Sequence, residues 1–182
     1  MNYPVNWFLA ITVVLHISFV SNEKYEVFLV KLWCNPNPKY AECNWRTRDH
    51  AHIDADYYIK QPISSLTLNL YIAQVDQRSR TTVIINRKYN LCENVSNLVA
   101  HYVSLYINYF FNEFAKNFKF ECPIKVSNLS MRDLPADSNL IPLRLFYKPR
   151  SYFFANATLL EKTKTLSETL SRFYGEWKIV KK

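Results

Sequence analysis

SSLTLNLYIAQVD, residues 64–76, alternates apolar and polar side chains with a period of two. One set of alternate positions is apolar: Leu66, Leu68, Leu70 and Ile72. The intervening set is Thr67, Asn69 and Tyr71. Because successive side chains of a β-strand point to opposite faces, this pattern predicts a half-buried antiparallel strand with one apolar face.

The remaining segments extend this interpretation to a whole fold. Further strands are predicted at 24–33, 41–48, 53–60, 80–88, 118–126, 142–148, 151–160 and 172–180. The first of them, KYEVFLVKLW, is apolar on both faces, as a central strand would be. Evenly spaced strands with polar or proline-bearing joints are typical of a sandwich or barrel, so we expect a mainly β protein.

Length and composition limit the function. The 182 residues, 49% of them apolar, suit one domain, which we place at 22–182. A single glycine, Gly175, excludes phosphate cradles and nucleophile elbows built on glycine. The net charge of +8 is dispersed, which favours lipid headgroups and acidic glycans over nucleic acid. No motif for nucleophilic catalysis is present, so we predict a protein that is not an enzyme and needs no cofactor.

The amino terminus and three sequons indicate secretion. The first twenty residues lack Asp, Glu, Lys and Arg, and residues 7–15 match the apolar region of a secretory signal. We therefore predict a signal peptide at 1–21, with a signal anchor as the alternative. N-glycosylation sequons begin at Asn94, Asn128 and Asn156. An even set of cysteines (Cys34, Cys43, Cys92 and Cys122) suits two disulfides in an oxidising compartment.

The segment LCENVSNLVAHYVSLYINYFFNEF, residues 91–114, departs from the strand rhythm. Its polar residues recur every three or four positions, which predicts an amphipathic helix at 93–115. A continuous polar stripe is incompatible with a lone membrane-spanning helix, so we expect this helix to lie on the protein. From the residues alone, its aromatic face is either core or the wall of a ligand pocket.

DHAHIDAD, residues 49–56, is the cluster that most resembles a metal site. On a strand, His50, His52, Asp54 and Asp56 share one face, but neighbours two apart lie nearly 7 Å from each other and cannot all reach one ion. We therefore predict a solvated outer face and no metal.

The cysteine frame resembles a large insect family of short secreted proteins of unknown function (DUF ten ninety-one). The matching features are Cys34 and Cys43 in the first strands, YNLC ending at Cys92, an amphipathic segment, Cys122-Pro123, and a last strand carrying Gly175. This family is distantly similar to ML lipid-recognition domains and to ganglioside-activator-like chemosensory proteins, which are immunoglobulin-like β-sandwiches that admit a lipid between their sheets.

The resemblance implies an ML-like β-sandwich with one helix inserted between strands. Of the three possible pairings we predict Cys34–Cys43 and Cys92–Cys122, the second closing a loop of about 30 residues for roughly 3.5 kcal/mol of stability.

The implied function is a secreted carrier for a lipid or small hydrophobic ligand, with a chemosensory role, a membrane receptor and transient membrane contact as expectations. The predicted pocket comprises Leu66, Leu68, Leu70, Ile72, Leu98, Tyr102, Tyr106, Phe110 and Phe114. The alternative is an extracellular protein-interaction or glycan-binding module whose core is fully packed.

Overall fold

The computed structural model describes residues 24–92, 115, 118, 120–135, 146–162 and 167–182. Eight strands account for most of them: β1 (Tyr25–Pro36), β2 (Ala41–Thr47), β3 (His52–Ile59), β4 (Leu66–Val75), β5 (Thr81–Asn90), β6 (Ser127–Pro135), β7 (Tyr152–Lys162) and β8 (Ser167–Lys181). All of their pairings are antiparallel. The prediction of a mainly β protein is confirmed.

The strands form two sheets. The large sheet has five strands in the order β1-β8-β7-β4-β5, and the small sheet has three in the order β2-β3-β6. The strands of the small sheet are 7 to 9 residues long, whereas β8 extends over 15 residues. The small sheet is therefore both narrower and shorter than the large one.

Two details of the strand prediction are wrong. The first strand, β1, lies at an edge of the large sheet and pairs only with β8 in the described part of the chain. Its second apolar face is partly exposed, with Phe28, Val30 and Trp33 between 38% and 46% accessible. In place of the strand expected at 118–126, β6 begins at Ser127. In the described part of that segment Pro123 has no N–H for a ladder, and an isolated bridge joins Ile124 to Ile63.

A third prediction, a strand at 142–148, is only partly within the described residues. Residues 146–148 lie outside the strands, and residues 142–145 are not among those that the structure describes. The strands expected at 151–160 and 172–180 are present as the longer β7 and β8. Their extra residues lie at the strand ends, where sequence patterns are least informative.

The hydrophobic core lies between the sheets, at the end where β4 and β6 begin. Buried side chains of both sheets meet there: Ala41, Ala55, Tyr57, Ile59, Leu66, Leu129, Met131 and Leu170. Two aromatic contacts cross from one sheet to the other, since Trp45 and Tyr57 of the small sheet lie 5.1 and 5.8 Å from the ring of Phe173 on β8. The two sheets therefore share one core.

Both disulfides have the predicted pairing. Cys34–Cys43 joins β1 of the large sheet to β2 of the small sheet, with 6.3 Å between the Cα atoms. Cys92–Cys122 joins the residue two places after β5 to the segment before β6, with 5.6 Å between the Cα atoms. The first bond therefore fastens the two layers of the fold to each other.

Several predictions fall outside the described residues. These are the signal peptide at 1–21, the sequon at Asn94 and the amphipathic helix at 93–115 except for its last residue. That last residue, Ala115, is fully buried in the core cluster. In the described part of the chain, no helix is long and apolar enough to span a bilayer.

Candidate ligand pocket

An apolar cavity of about 560 Å³ lies against the inward face of the large sheet. One row of residues that crosses all five strands forms its floor: Leu32, Gly175, Ala155, Ile72 and Ile85. Each is the direct cross-strand neighbour of the next. The second and third members of the row, Gly175 and Ala155, are small, so the row leaves space above β8 and β7.

Larger side chains on the same face form the ends and walls of the cavity. Those of the large sheet are Val27, Leu29, Phe153, Phe173, Trp177 and Ile179. The rings of Phe153 and Trp177 are stacked 5.8 Å apart with an angle of 9° between their planes. Since alternate residues of β7 and β8 face inward, the period-two pattern of these strands places their bulky and small side chains around one space.

The small sheet and the segment before β7 also contribute to the described lining. Trp45 of β2 and Ile53 of β3 face the floor from the opposite layer, and Phe146 packs edge-on against Phe153 at 6.5 Å. The cavity therefore lies between the two layers and is bounded by both.

A buried amide holds Phe146 in place. The side-chain nitrogen of Gln74 donates to the carbonyl of Phe146 at 3.0 Å and to the hydroxyl of Ser151 at 2.9 Å. That hydroxyl in turn donates to the carbonyl of Lys148 at 2.8 Å. Because Gln74 is only 4% exposed, losing these bonds would leave buried polar groups unpaired, so the turn carrying Phe146 is held firmly.

The polar groups of the cavity wall are few. Within the described residues, no charged side chain lines the cavity. The indole Nε1 of Trp45 is buried and has no hydrogen-bond partner in the described part of the chain. Such an arrangement suits the holding of an apolar molecule.

The structure separates the nine residues predicted to line a pocket. Ile72 lines the cavity, whereas Leu66 belongs to the packed core and is 5% exposed. Leu68 and Leu70 are half-buried on the same strand but are not part of the lining. The other five lie outside the described residues: Leu98, Tyr102, Tyr106, Phe110 and Phe114.

Sequence reasoning missed most of the residues that line the cavity. The period-two pattern of Phe173, Gly175, Trp177 and Ile179 on the last strand was the available signal. It marks a strand with one apolar face, but it does not distinguish a face that packs on the core from one that borders a cavity.

The cluster at 49–56 is an outer face, as predicted. Ile53, Ala55 and Tyr57 are buried, and the carboxylates between them face the other way. Asp54 pairs with Arg48 at 3.1 Å, and Asp56 pairs with Arg132 at 2.6 Å. Hydrogen bonds to Ser130 and Arg132 hold the pKa of Asp56 below its ordinary value.

The opposite side of the large sheet carries an aromatic row, which we call the outer aromatic row: Trp33, Tyr174, Phe154 and Tyr71. Successive ring centroids are 5.7, 6.5 and 5.7 Å apart. Asn156, the second sequon within the described residues, is exposed and lies between Tyr71 and Tyr174 in the strand register. The row is thus centred on a glycosylation sequon.

Comparison with known proteins adds no family to this geometry. The chain matches no protein-family model and no curated protein sequence. The resemblance to the insect secreted family therefore stays a prediction from the cysteine frame, and the functional argument depends on the cavity.

Proposed function

We propose that this protein is a non-enzymatic carrier that holds a lipid or another small hydrophobic ligand between its two sheets. The observation that carries the proposal is the apolar cavity over the row from Leu32 to Ile85. A cavity of about 560 Å³ bordered by the described residues supports a carrier over an interaction module, for which a fully packed core is expected. Ligand pockets commonly measure about 300–1,000 Å³ and are mostly apolar.

The energetics of such binding follow from the lining. Burial of apolar surface contributes about 25 cal/mol per Å², and the wall offers aromatic and branched aliphatic side chains for that contact. The walls are carried by strands of both layers, and the Cys34–Cys43 disulfide connects those layers. A disulfide between the layers limits their relative movement, which would lower the ordering cost of binding.

Secretion and an ML-like fold belong to the same proposal. Two disulfides are typical of proteins that fold in an oxidising compartment. Two antiparallel sheets with an apolar space between them agree with a lipid-recognition sandwich of the ML type. The cavity would then carry a molecule that is poorly soluble in water through the aqueous extracellular medium.

The test exploits the floor of the cavity. A Cβ at Gly175 would meet Leu32 Cδ1 and Trp177 Cζ3 at 3.7 Å, which is ordinary contact distance, so the backbone tolerates a Cβ at this position of the cavity lining. Gly175→Leu should weaken uptake of the neutral fluorophore N-phenyl-1-naphthylamine at least about tenfold, while added apolar burial keeps the thermal midpoint equal or higher.

The matched control is Lys178→Leu, which adds the same side chain to the exposed face of β8. It should bind the fluorophore as the parent does. Native mass spectrometry of the parent, secreted from insect cells, should reveal co-purified lipid. If the parent neither takes up the fluorophore nor carries lipid, the carrier proposal fails.

A second candidate function has its own observation. The outer aromatic row and the exposed Val30 and Val180 give the large sheet an apolar outer face, which suits contact with another protein or a glycan. Trp33→Ala would then abolish partner capture while leaving fluorophore uptake unchanged. The two functions are therefore separable on opposite faces of one sheet.

A further inference from the structure

Cations that are dispersed along the sequence are gathered by the fold at one end of the large sheet. This end comprises the start of β1, the end of β8, the turn between β4 and β5, and the turn before β7. We call it the basic end, after its seven exposed cations: Lys24, Arg78, Arg80, Lys148, Arg150, Lys181 and Lys182. Among the described residues of the same segments, the carboxylate side chains are those of Glu26 and Asp76.

Contacts between these segments make the basic end one continuous surface. The backbone N–H of Lys182 donates to the carbonyl of Lys24 at 2.9 Å, which joins β8 to β1. The ring of Tyr147, in the turn before β7, lies 5.1 Å from that of Tyr25 on β1. The guanidinium of Arg150 donates at 3.4 Å to a glutamine side chain of the turn between β4 and β5. The cations therefore share one surface.

Much of this positive charge is not neutralised within the protein. Glu26 pairs with Lys182, and Asp76 pairs with Arg80 at 2.7 Å. In the part of the chain that the structure describes, four of the seven cations form no ion pair: Lys24, Arg78, Lys148 and Arg150. The basic end is therefore complementary to an anionic partner.

Exposed apolar side chains lie beside these cations. Val180 precedes Lys181 on β8 and is 44% exposed, and Val83 follows Arg80 by three residues and is 51% exposed. Ile84 is 37% exposed and also lines the cavity. This combination suits a membrane, because cations attract anionic headgroups while apolar side chains enter the boundary with the acyl chains. An acidic glycan would use the cations but would gain little from the valines.

The cavity extends close to the basic end. Val27 and Ile179 are cross-strand neighbours that line it, and the pair of Tyr25 and Lys181 lies two residues further along the same strands, about 7 Å away. Phe146, in the turn before β7, lines the cavity as well. A bilayer in contact with this end would therefore lie near the cavity.

We propose that the basic end docks on the surface of an anionic lipid bilayer, with its cations among the headgroups and with Val83 and Val180 at the boundary with the acyl chains. Resting on the proposed function, such docking would let the cavity take its ligand from a membrane or deliver it to one. Because the cations are exposed, binding should weaken as added salt shortens the Debye length from about 10 Å at 0.1 M to about 3 Å at 1 M.

The experiment measures sedimentation of the protein with phosphatidylcholine vesicles that contain about one third phosphatidylserine, or none. The parent should bind the anionic vesicles at least about tenfold more tightly. Replacing Arg78, Lys148 and Arg150 together by glutamine should weaken that binding at least about tenfold. The matched control replaces exposed lysines away from the basic end and should change it less than about threefold: Lys88→Gln, Lys125→Gln and Lys162→Gln.

Two further measurements identify the partner and the folded state. The double variant Val83→Ser and Val180→Ser should weaken vesicle binding at least about threefold and leave binding to immobilised heparin unchanged. All of these variants should keep the parent's uptake of N-phenyl-1-naphthylamine, because none of the substituted residues lines the cavity.

Other outcomes would overturn the inference. These are equal binding to the two kinds of vesicle, an equal loss in both triple variants, or a preference for heparin that the valine changes do not affect, which would assign the basic end to an acidic glycan. If the parent takes up the fluorophore but binds no vesicle, the docking inference fails and the carrier proposal stands. If it binds anionic vesicles as expected but takes up no fluorophore, the carrier proposal fails and the docking surface stands.

Discussion

The hydroxyl of Tyr57 on the small sheet bonds to the hydroxyl of Ser171 on the large sheet at 2.6 Å. The Ser171 hydroxyl already donates to the carbonyl of Leu170, so Tyr57 is the donor of the pair. Burial raises the pKa of the Tyr57 hydroxyl, and Ser171 is fully buried. This polar bond thus connects the two layers within the buried interior of the described residues.

Two substitutions at this bond should have unequal costs. Ser171→Ala leaves the Tyr57 O–H buried without an acceptor and should lower the free energy of unfolding by about 1–3 kcal/mol. Tyr57→Phe leaves Ser171 with its bond to Leu170 and should cost about 0.5–1.5 kcal/mol. Urea unfolding measures both. The double variant should cost less than the sum of the two; strict additivity would mean that the hydroxyls do not interact.

The stability lost when a disulfide is removed should increase with the length of the loop that it closes. The Cys92–Cys122 bond spans 30 positions and Cys34–Cys43 spans 9. On the chain-entropy model, replacing Cys92 and Cys122 by alanine should lower stability by about 3.5 kcal/mol. Replacing Cys34 and Cys43 should lower it by about 2.5 kcal/mol. Unfolding by urea of the two double variants gives the comparison. A larger loss from Cys34–Cys43 would show that its connection between the sheets contributes more than loop closure.

Stability should fall in acid because of the ion pairs beside β3. Hydrogen bonds lower the pKa of Asp56 (Ser130, then Arg132) and of Asp54 (the Asp133 backbone N–H, then Arg48) below their ordinary value of 3.8 in the folded protein. The stability from each group is therefore present above that ordinary value and is lost as the pH falls from about 4 through the folded pKa.

The thermal midpoint measured between pH 2 and pH 6 tests this. Asp56→Asn should flatten the acid slope and lower stability at pH 7 by less than about 1 kcal/mol, because the pair is partly exposed. Ser130 also completes the Asn128 sequon, so this variant is compared in unglycosylated protein. There Ser130→Ala removes one of the donors to Asp56 and should flatten the slope in part. An unchanged slope in Asp56→Asn would assign the acid sensitivity to other groups.

Glycosylation at Asn156 should cover the outer aromatic row. This residue is exposed between Tyr71 and Tyr174, so the first sugars of an N-glycan would rest on their rings. In protein secreted from insect cells, Asn156→Gln and Thr158→Ala should each remove one glycan mass and reduce solubility by uncovering the row. Asn128→Gln, on β6 of the small sheet, should remove a glycan without that loss of solubility. If glycosidase treatment leaves the parent mass unchanged, the prediction is wrong.

Local patterns of the sequence determined the elements of this fold. Alternation at 64–76 was enough to identify β4, and alternation at 49–56 was enough to assign the carboxylates to the outer face. These predictions succeeded because the period of side-chain direction along a strand is a local property of the backbone. The cysteine frame likewise pointed to the disulfide pairing that the fold contains.

Tertiary structure alone decided which apolar residues pack in the core and which border a cavity. Leu66 and Ile72 belong to one alternating set, yet the first is in the core and the second is on the cavity floor. The difference arises from the short strands of the small sheet, and from the register that places Gly175 beside Ala155. Strand order likewise decides that β1 lies at an edge, and layer packing decides that Trp45 contacts Phe173. Both connect residues that are far apart in the chain, so they leave no local pattern in the sequence.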